Sequence, residues 1–396
     1  MRVAHIITRM IVGGAQENTL LNCLDLIQIH GDDVLLITGP AIGPEGDLLR
    51  QGRGGDVPLT YVPSLRRSIH PWRDFASYLG IKQVLRDFKP DVVHTHSAKG
   101  GFLGRLAAWS LQVPAIVHTV HGAPFHPFQN VLPRTLFRWC EWCAARRCHA
   151  IISVADAMSD LMVQAGVAPR EKFTTIYSGM DVEPFLQANE AREPFRKELG
   201  YSPQHVVIGK IARLFHLKGH DEVIAAAKEV IQKNPLVRFL FIGDGILREA
   251  LQQLIDNAGL REHFQFTGLV PPARIPELLG AMDILVHASL REGLARALPQ
   301  ALIAGKPVVS YDVDGAREVC IPGQTGFLIP PRDVATLAAA LTQLASDPAL
   351  REQLGSAGRS RFAEQFRHET MTRRVREVYE RVLGRQGEGE KERLRV

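Results

Sequence analysis

The sequence predicts an α/β protein that contains two doubly wound, parallel-sheet domains in tandem. With 396 residues, the chain is too long for one ordinary hydrophobic core, and two domains of about 200 residues each are expected. Short apolar runs alternate with helix-period segments along the chain, which is typical of parallel strands covered by helices. Several polar residues with binding chemistry directly follow an apolar run, where open parallel sheets bind their ligands.

The predicted strands are the short apolar runs, five in each half of the chain. They cover residues 3–8, 33–38, 91–94, 115–119 and 150–154, and then 206–212, 238–242, 264–267, 284–287 and 307–310. The predicted helices between them cover 16–30, 75–88, 101–110, 219–233, 246–258, 273–281 and 295–304. This strict alternation favours two Rossmann-like units over any all-α or all-β fold.

The domain boundary is predicted in a polar, proline-containing stretch in the middle of the chain. We expect a first domain at 1–180, a linker at 181–202 and a second domain at 203–365. From residue 333 to about 383 the pattern is wholly helical. The charged residues 385–396 are expected to form a flexible tail.

Composition narrows the class of protein. The net charge of +5 comes with no clustered basic face, so no nucleic-acid partner is expected. The one long stretch without Asp, Glu, Lys or Arg, 106–133, contains four prolines and is a poor transmembrane candidate. The first strand leads directly into Gly13, unlike a signal peptide. Five cysteines do not form a disulfide framework, so a cytoplasmic protein is expected.

Two patterns resemble metal sites but lack parts of them. Cys140 and Cys143 form a CxxC pair on a predicted helix, with no second pair to complete a structural zinc site. Asp312 and Asp314 form a DxD pattern after a strand, but inside the second Rossmann-like unit, where a loop is the better interpretation. No metal is therefore expected at either position.

Four histidines lie near the ends of two predicted strands. They are His94, His96, His118 and His121. A zinc site is conceivable here, but no acidic residue or fourth-ligand pattern supports it. His121, at the apex of the loop after the fourth strand, is the one best placed to reach a ligand.

A pair of cations follows the first strand of the second half. Arg213 comes just after that strand, and Lys218 enters the next helix. A guanidinium and an ammonium at a helix N-terminus can hold a diphosphate. Gly243 follows the next strand, where a glycine allows the backbone to approach a ligand closely. Gly13 and Gly14 offer the same freedom after the first strand, although they do not form a GxGxxG fingerprint.

An acid and an amide eight residues apart follow the strand at 284–287. Glu292 lies in a turn with Gly293 and Leu294, and Gln300 lies in the next predicted helix. A carboxylate accepts hydrogen bonds from two sugar hydroxyls, and an amide both donates and accepts. Together with the cations, these residues predict a nucleotide-sugar site.

These motifs resemble the retaining family 4 glycosyltransferases of the GT-B fold. The likeness covers nearly the whole chain. The motifs are specific when taken together, and no single motif would carry the resemblance alone. It comprises Gly13-Gly14-Ala15, 89–96, 118–122, Arg213 to Gly219, 243–245, 268–270, Glu292 and 305–309. The resemblance implies two facing Rossmann-like domains with a cleft between them, and a C-terminal helix, about 366–384, that packs back on the first domain.

The resemblance also assigns roles. Arg213 and Lys218 match the diphosphate-binding cations, and Glu292 matches the first acid of the ExxxxxxxE motif, which faces the donor sugar. His121 matches the histidine that reaches the transferred sugar. The backbone of Leu269 and Val270 matches the segment beside the nucleobase.

One departure concerns the second acid of that motif, which is Gln300 here. A neutral amide should bind the ribose hydroxyls less strongly, with a loss of about 1 kcal/mol and at most about tenfold in donor affinity.

The implied reaction is metal-independent sugar transfer with retention, by front-side attack, in which the leaving diphosphate accepts the acceptor's proton. No cofactor is expected besides the nucleotide-sugar co-substrate. The acceptor would be a glycan or a lipid-linked saccharide. The predicted helix at 134–147 is basic and aromatic, and two interpretations of it stay open. It could contact the inner membrane face peripherally, or it could be an ordinary helix with its aromatic side buried. Two alternatives also stay open: a catalytically weak nucleotide-sugar-binding subunit, and a nucleotide-sugar epimerase or hydrolase.

Overall fold

The computed structural model describes residues 1–42, 46–49, 55 and 57–393, with side chains described as far as residue 384. The chain divides into two compact units, and the first contains both chain ends. Unit 1 is Met1–Met180 with Phe366–Val396, and unit 2 is Asp181–Gln365. Each unit has a parallel sheet with helices packed on it.

Unit 1 contains a seven-stranded parallel sheet in the order β3-β2-β1-β4-β5-β6-β7. The strands are β1 (Arg2–Arg9), β2 (Asp33–Gly39), β3 (Leu59–Tyr61), β4 (Val92–His96), β5 (Ala115–Val120), β6 (Ala150–Ser153) and β7 (Phe173–Thr175). Its helices are α1 (Gly14–Gln28), α2 (Pro71–Phe88), α3 (Ala98–Ser110), α4 (Val131–Ala145), α5 (Asp156–Gln164) and, from the C-terminal segment, α14 (His368–Arg393).

Unit 2 contains a six-stranded parallel sheet in the order β10-β9-β8-β11-β12-β13. The strands are β8 (Val206–Ile211), β9 (Val237–Ile242), β10 (Phe264–Gly268), β11 (Ile284–His287), β12 (Val308–Tyr311) and β13 (Gly326–Ile329). Its helices are α6 (Glu183–Leu186), α7 (Arg192–Glu198), α8 (His220–Lys233), α9 (Arg248–Asn257), α10 (Ile275–Ala281), α11 (Ala297–Ile303), α12 (Val334–Ser346) and α13 (Pro348–Phe362).

These sheets confirm the predicted α/β class with two Rossmann-like units. Buried Val, Ile and Leu fill both faces of the central strands, as parallel sheets require. All ten predicted strands are present within about two residues of the expected ends. Among the described residues, the three unpredicted strands, β3, β7 and β13, lie at sheet edges and have only three or four residues. None of these residues is buried in β3, one is buried in β7 and two are buried in β13.

Residues 181–202, expected as a linker, are instead part of unit 2. Arg192 donates hydrogen bonds to Gly280 O and Met282 O, each at 2.7 Å, and pairs with Asp283 at 2.5 Å. Arg196 also pairs with Asp283, at 3.2 Å. The polar, proline-containing composition predicted a linker, but two guanidinium groups bind this segment to the end of α10 and to Asp283.

The C-terminal helix α14 packs against α1 within unit 1. His368 Nδ1 lies 2.8 Å from Asp25 Oδ2, which also accepts a hydrogen bond from Thr372 Oγ1 at 2.8 Å. Asn22 donates to Thr372 at 3.2 Å. The helix continues to Arg393, nine residues beyond the end expected from the sequence, and residues 394–396 of the expected tail lie outside the described part of the chain.

Candidate functional site

The carboxyl edge of the unit 2 sheet brings Lys218 and Glu292 together. Lys218 lies in the loop between β8 and α8, Glu292 lies in the loop after β11, and the two strands are neighbours in the sheet. The ammonium donates directly to Glu292 Oε1, and both side chains are partly exposed. The sequence analysis assigned these two residues to one site, and the sheet topology explains how 74 positions of separation close into a contact.

Glu292 is held as an anion. Burial alone would raise its pKa, but the nearby His287 ring and the Lys218 ammonium lower the pKa to about 2. His287 Nε2 lies 3.7 Å from Glu292 Oε1, and Ser289 Oγ donates to the same oxygen at 3.0 Å. The carboxylate is therefore charged at neutral pH. Lys218 and Ser289 both donate to Oε1, so Oε2 has capacity to accept further hydrogen bonds.

Two residues that sequence reasoning did not assign to the site hold the Glu292 loop in place. Asp314 Oδ2 accepts a hydrogen bond from the Glu292 backbone N–H at 2.7 Å, from a left-handed backbone with φ 49°. Ser289 Oγ also lies 3.2 Å from Leu217 O, in the loop that carries Lys218. The DxD pattern was the available signal. Its other acid, Asp312, forms a two-point pair with Arg317 at 2.9 and 2.8 Å.

Two glycines allow the loops of this edge to approach each other. At Gly219, with φ +63°, a Cβ atom would lie 1.9 Å from Ala288 O, and at Gly243, with φ +135°, one would lie 2.2 Å from Ala212 O. Any larger residue would push the Lys218 loop away from the β11 loop, or the Gly243 loop away from Arg213. Gly243 is thus required for loop packing, whereas its predicted contact with a ligand stays a prediction.

Arg213 follows β8 at the same edge. Its carbonyl accepts a hydrogen bond from His220 Nε2 at 3.0 Å, and its guanidinium lies 5.2 Å from the centre of the Phe215 ring. Burial and then the nearby Lys210 lower the pKa of His220 to about 3, so the ring is neutral. Phe215 therefore shields one side of the cation, which the sequence analysis did not foresee.

Apolar side chains are exposed around this edge where a planar ligand could stack. Leu269, directly after β10, has 64% of its surface exposed, and Ile246 has 70% exposed. Val270, Gly293, Leu294 and Gln300 are all partly exposed. Exposed apolar groups beside a charged cluster are typical of a binding surface rather than of an ordinary polar loop.

Lys210 lies in β8 beneath the charged site. The side chain is fully buried, and its Nζ has no hydrogen-bond partner among the described residues. Burial and then repulsion from Lys218 lower the pKa of Lys210 to about 7. Burial and then a hydrogen bond with Asp221 raise the pKa of neighbouring Glu222 to about 7. The floor of the site thus contains groups that change charge near neutral pH.

In unit 1, His121 is the end of a chain of histidines. Its Nε2 lies 3.2 Å from His96 Nδ1, and His96 Nε2 lies 3.0 Å from His5 Nδ1. Burial lowers the pKa of His5 to about 3 and the pKa of His96 well below its ordinary value. Because a neutral ring donates through one nitrogen and accepts through the other, the proton positions along the chain are coupled.

His5, His94 and His96 could also be considered as metal ligands, since their nitrogen atoms lie within 4.8 Å of one another. However, His94 has Tyr379 Oη on one nitrogen and Thr119 Oγ1, at 2.7 Å, on the other. Both nitrogens of His96 lie against other histidines. The set therefore fits a hydrogen-bonded core better than a metal centre.

Gly13 and Gly14 connect β1 to α1 at the carboxyl edge of the unit 1 sheet. The backbone of Gly13 is extended, with φ 175°, and Gly14 begins the helix. A Cβ at Gly13 would meet the movable Gln16 side chain at 2.7 Å. Neither backbone strain nor a rigid neighbour demands glycine there, and contact of Gly13 with a ligand stays a prediction.

The outer helices of unit 1 expose an aromatic face. We use this term for Trp72 and Phe75 on α2, Trp109 on α3, and Leu132 and Trp139 on α4, which have from 48% to 82% of their surface exposed. Helix α3 packs against both α2 and α4. The one acid of α4, Glu141, is buried in a 2.8 Å pair with Arg105. An ordinary helix would bury its aromatic side, whereas α4 exposes Trp139 and Leu132.

None of the helices described here has a stretch long and apolar enough to cross a membrane.

Comparison with known proteins adds the family. Residues 12–184 match the model of Glycosyltransferase Family 4, and residues 191–361 match the model of Glycosyl transferases group 1. One similar protein is the UDP-Gal:alpha-D-GlcNAc-diphosphoundecaprenol alpha-1,3-galactosyltransferase of Escherichia coli, 29% identical over 88% of this chain and 89% of its own length. Another is the 2-deoxystreptamine N-acetyl-D-glucosaminyltransferase of Streptomyces fradiae, 26% identical over 96% and 93%.

The fold has matches among solved structures. HepE of Anabaena in complex with UDP has a TM-score of 0.80 at 23% identity, over 96% of this chain and 99% of its own. Sucrose-phosphate synthase of Thermosynechococcus elongatus has a TM-score of 0.79 at 17% identity, over 97% and 99%. Two Rossmann-like units with these neighbours define the GT-B class of transferase. The chain belongs to the group 1, family 4 glycosyltransferases.

Proposed function

We propose that this glycosyltransferase moves a sugar, with retention and without a metal ion, from a nucleoside-diphosphate donor to a lipid-linked saccharide or another glycan. The observation that carries the proposal is the Lys218–Glu292 pair at the carboxyl edge of the unit 2 sheet. An ammonium and an ionised carboxylate in contact offer one group for phosphate oxygens and one for sugar hydroxyls. A nucleotide sugar presents both.

Lys218 has enough donors for both tasks. Its ammonium carries three N–H groups, and one of them goes to Glu292 in the ligand-free site. The other two can bind the donor diphosphate together with the Arg213 guanidinium, while Glu292 accepts hydrogen bonds from the sugar. The ion pair is thus already arranged in the way that donor binding would use it, which lowers the cost of ordering both side chains.

The chemistry follows from the charge that develops when the sugar–phosphate bond breaks. Arg213 and Lys218 would stabilise the leaving diphosphate, a role that in other enzymes belongs to a metal ion. The acceptor hydroxyl would attack from the side on which the diphosphate leaves, and its proton would pass to a phosphate oxygen. In the proposed reaction His121 contacts the transferred sugar from unit 1. Retention and metal independence are parts of this proposal.

For the donor we propose a uridine diphosphate sugar. The Escherichia coli relative is named for UDP-Gal, and the Anabaena neighbour has been solved with UDP and with UDP-glucose. The exposed Leu269 and Ile246 would lie beside the flat nucleobase. A uracil ring is small enough to be held by backbone groups and apolar side chains without a deep cavity.

For the acceptor we propose a saccharide on a lipid carrier, reached at a membrane surface. The named acceptor of the Escherichia coli relative is linked to diphosphoundecaprenol. The aromatic face of unit 1 supplies exposed Trp and Leu side chains, and Arg138 is exposed on α4 between them. Aromatic and cationic side chains on one surface are suited to the headgroup region of an anionic bilayer.

The first experiment is a panel of UDP-, GDP- and ADP-sugars, with thermal stability and nucleotide release measured together. We expect UDP-sugars alone to stabilise the chain, and release to increase when a lipid-linked saccharide is added. Release should persist in EDTA, and NMR of the product should show the anomeric configuration of the donor.

Each alternative has its own outcome in the same panel. Stabilisation without release under any acceptor would indicate the nucleotide-sugar-binding subunit. Release or isomerised sugar in the absence of acceptor would indicate the hydrolase or epimerase. Failure of every nucleotide sugar to stabilise the chain would refute the site at Lys218 and Glu292.

A further inference from the structure

Four arginines surround one cavity in unit 1 that the proposed reaction has not used. The cavity has a volume of about 490 Å³, and Arg9, Arg66, Arg67 and Arg73 contribute to its walls. Arg9 is the last residue of β1, and Arg66 and Arg67 follow β3. The cavity therefore lies at the carboxyl edge of the sheet, where open parallel sheets bind ligands, and β5 leads to His121 at that same edge.

The charge around this cavity is one-sided. No acid is among its lining residues within the described part of the chain. The nearest carboxylate of α2, Asp74, has one oxygen on Lys99 at 2.6 Å and the other on the His70 backbone N–H at 3.0 Å. Four like charges around one space destabilise each other unless an anion joins them.

The arginines differ in how they are held. Arg73 donates to Ser68 Oγ at 2.6 Å and to Ser68 O at 3.1 Å, which fixes the loop after β3 to the first turn of α2. Arg66 and Arg67 are exposed, and neither has a hydrogen bond or ion pair with any residue that the structure describes. The loop is thus anchored at one end, and two guanidinium groups beside the cavity have no internal use.

We propose that this cavity binds the diphosphate group of the lipid-linked acceptor. Guanidinium forks bind phosphate oxygens in pairs, and a diphosphate diester has two charges with several oxygens to share among four arginines. This inference rests on the proposed function, because it names the part of the acceptor that unit 1 recognises.

The apolar neighbours of the arginines favour a lipid diphosphate over a free one. Ile69 has 66% and Trp72 has 81% of its surface exposed. Both residues lie between Arg67 and Arg73 in the sequence, and Trp72 is in the first turn of α2. A prenyl chain leaving the diphosphate would contact these side chains. The cavity thus sits beside the aromatic face, which is the surface proposed to meet the membrane.

The test is a calorimetric titration of the full chain with geranyl diphosphate in a neutral detergent, where no anionic lipid competes. We expect binding by the unchanged protein, and affinity at least tenfold weaker in the double variant Arg66→Gln with Arg67→Gln. The double variant with Lys at both positions keeps the charge and loses the fork, so its affinity should be intermediate. Geraniol, which lacks the phosphates, should show no difference among these proteins.

Two further variants locate the site. Arg86→Gln, at the other end of α2, should bind geranyl diphosphate within twofold of the unchanged protein. Lys218→Ala should also bind it within twofold, because the donor site is in unit 2. Unchanged affinity in the Arg66 and Arg67 double variant, or a tenfold loss in Lys218→Ala alone, would overturn the inference.

The titration needs no turnover, so it stands apart from the proposed reaction. If UDP-sugar turnover responds to acceptor while geranyl diphosphate fails to bind the cavity, the inference alone is refuted. If geranyl diphosphate binds through Arg66 and Arg67 while no nucleotide sugar is used, the proposed reaction is refuted and the anion site stays. Binding to anionic vesicles should be measured for the same double variant. If the variant loses vesicle binding but retains geranyl diphosphate binding, the inference is refuted and these arginines contact the membrane instead.

Discussion

The carboxyl edges of the two parallel sheets differ in how their charged side chains are arranged. At the unit 2 edge, Lys218 and Glu292 form a pair of opposite charges that other side chains hold in place. At the unit 1 edge, four arginines share one cavity, and the histidines behind His121 are neutral. These charges are the basis for proposing a ligand with both hydroxyls and phosphates at the unit 2 edge and an anion at the unit 1 edge.

The difference teaches that a repeated architecture does not imply a repeated ligand. Both sheets deliver their loops to the carboxyl edge, but the sign and the pairing of charge in those loops decide what binds. In the proposed function, the nucleotide sugar uses a carboxylate beside a cation. In the further inference, the lipid diphosphate uses cations beside an apolar surface.

The strongest test of the unit 2 edge is Lys218→Ala. Without the ammonium, the leaving diphosphate loses a charge partner and Glu292 becomes an unpaired anion, so turnover should fall about 10²- to 10³-fold. Steady-state rates with a UDP-sugar would measure this loss. The matched control is Lys233→Ala, which breaks the exposed Lys233–Glu229 pair on α8 and should leave the rate within twofold. Equal rates in both variants would contradict the assignment.

A Lys210 substitution tests whether this buried lysine lowers the free energy of unfolding. Its pKa is lowered from 10.5 to about 7, so between these pH values the unfolded chain binds a proton that the folded chain does not. Stability should therefore rise with pH across that range. Buried Lys306, whose pKa is also lowered to about 7, contributes to the rise as well. Lys210→Met should therefore remove only the Lys210 part of the rise and add about 1–4 kcal/mol at pH 7.

Urea unfolding at several pH values would measure both effects of the Lys210 substitution. The matched control is Lys228→Met, at an exposed position on α8 of unit 2. The pH dependence of its unfolding free energy should equal that of the unchanged protein. If Lys210→Met were to retain the full slope between pH 7 and 10.5, the lowered pKa would be refuted.

The aromatic face sharpens the comparison from the unit 1 side. Replacing Trp72 and Trp139 together by Ser should weaken binding to vesicles that contain phosphatidylglycerol by about tenfold or more, because two exposed aromatic anchors are lost. Added salt should weaken binding of the unchanged protein as well. Leu254→Ser, an exposed apolar position in unit 2, serves as the control, and vesicle flotation as the measurement. Equal losses in both proteins would remove unit 1 as the membrane surface.

The smallest expected effect belongs to Gln300. A Gln300→Glu substitution replaces the amide by a carboxylate, and a charge-assisted hydrogen bond to ribose should tighten UDP binding by up to about tenfold. Calorimetry with UDP would measure it, with Gln253→Glu on α9 as a charge-matched control. Unchanged or weaker binding would show that position 300 does not face the ribose.

Much of the fold could be predicted from the sequence because apolar runs record parallel strands directly. The central strands β1, β4, β8 and β9 are long and buried, so composition identifies them. The edge strand β3 has three residues, none of them buried, and hydrophobic periodicity cannot detect such a segment.

The grouping of the candidate residues at one edge could be predicted in part for a similar reason. Arg213, Lys218 and Glu292 follow strands, so their position in the sequence predicts their edge of the sheet. The Asp314 carboxylate on the Glu292 backbone and the His5–His96–His121 chain depend on contacts between distant segments. No spacing in the sequence encodes such contacts, and the exposure of the α4 aromatics depends likewise on which side of the helix its neighbours cover.

Helix α14 gives the chain an order of assembly. It is synthesised after unit 2, yet it supplies the partners of Asn22 and Asp25 on α1, which is synthesised before unit 2. During synthesis unit 2 has all its residues when residue 365 is complete, whereas unit 1 still lacks the helix that covers these polar groups. A ribosome-bound chain that has emerged as far as residue 365 should therefore contain all residues of the second unit and an incomplete first unit, which can close only after α14 has also emerged.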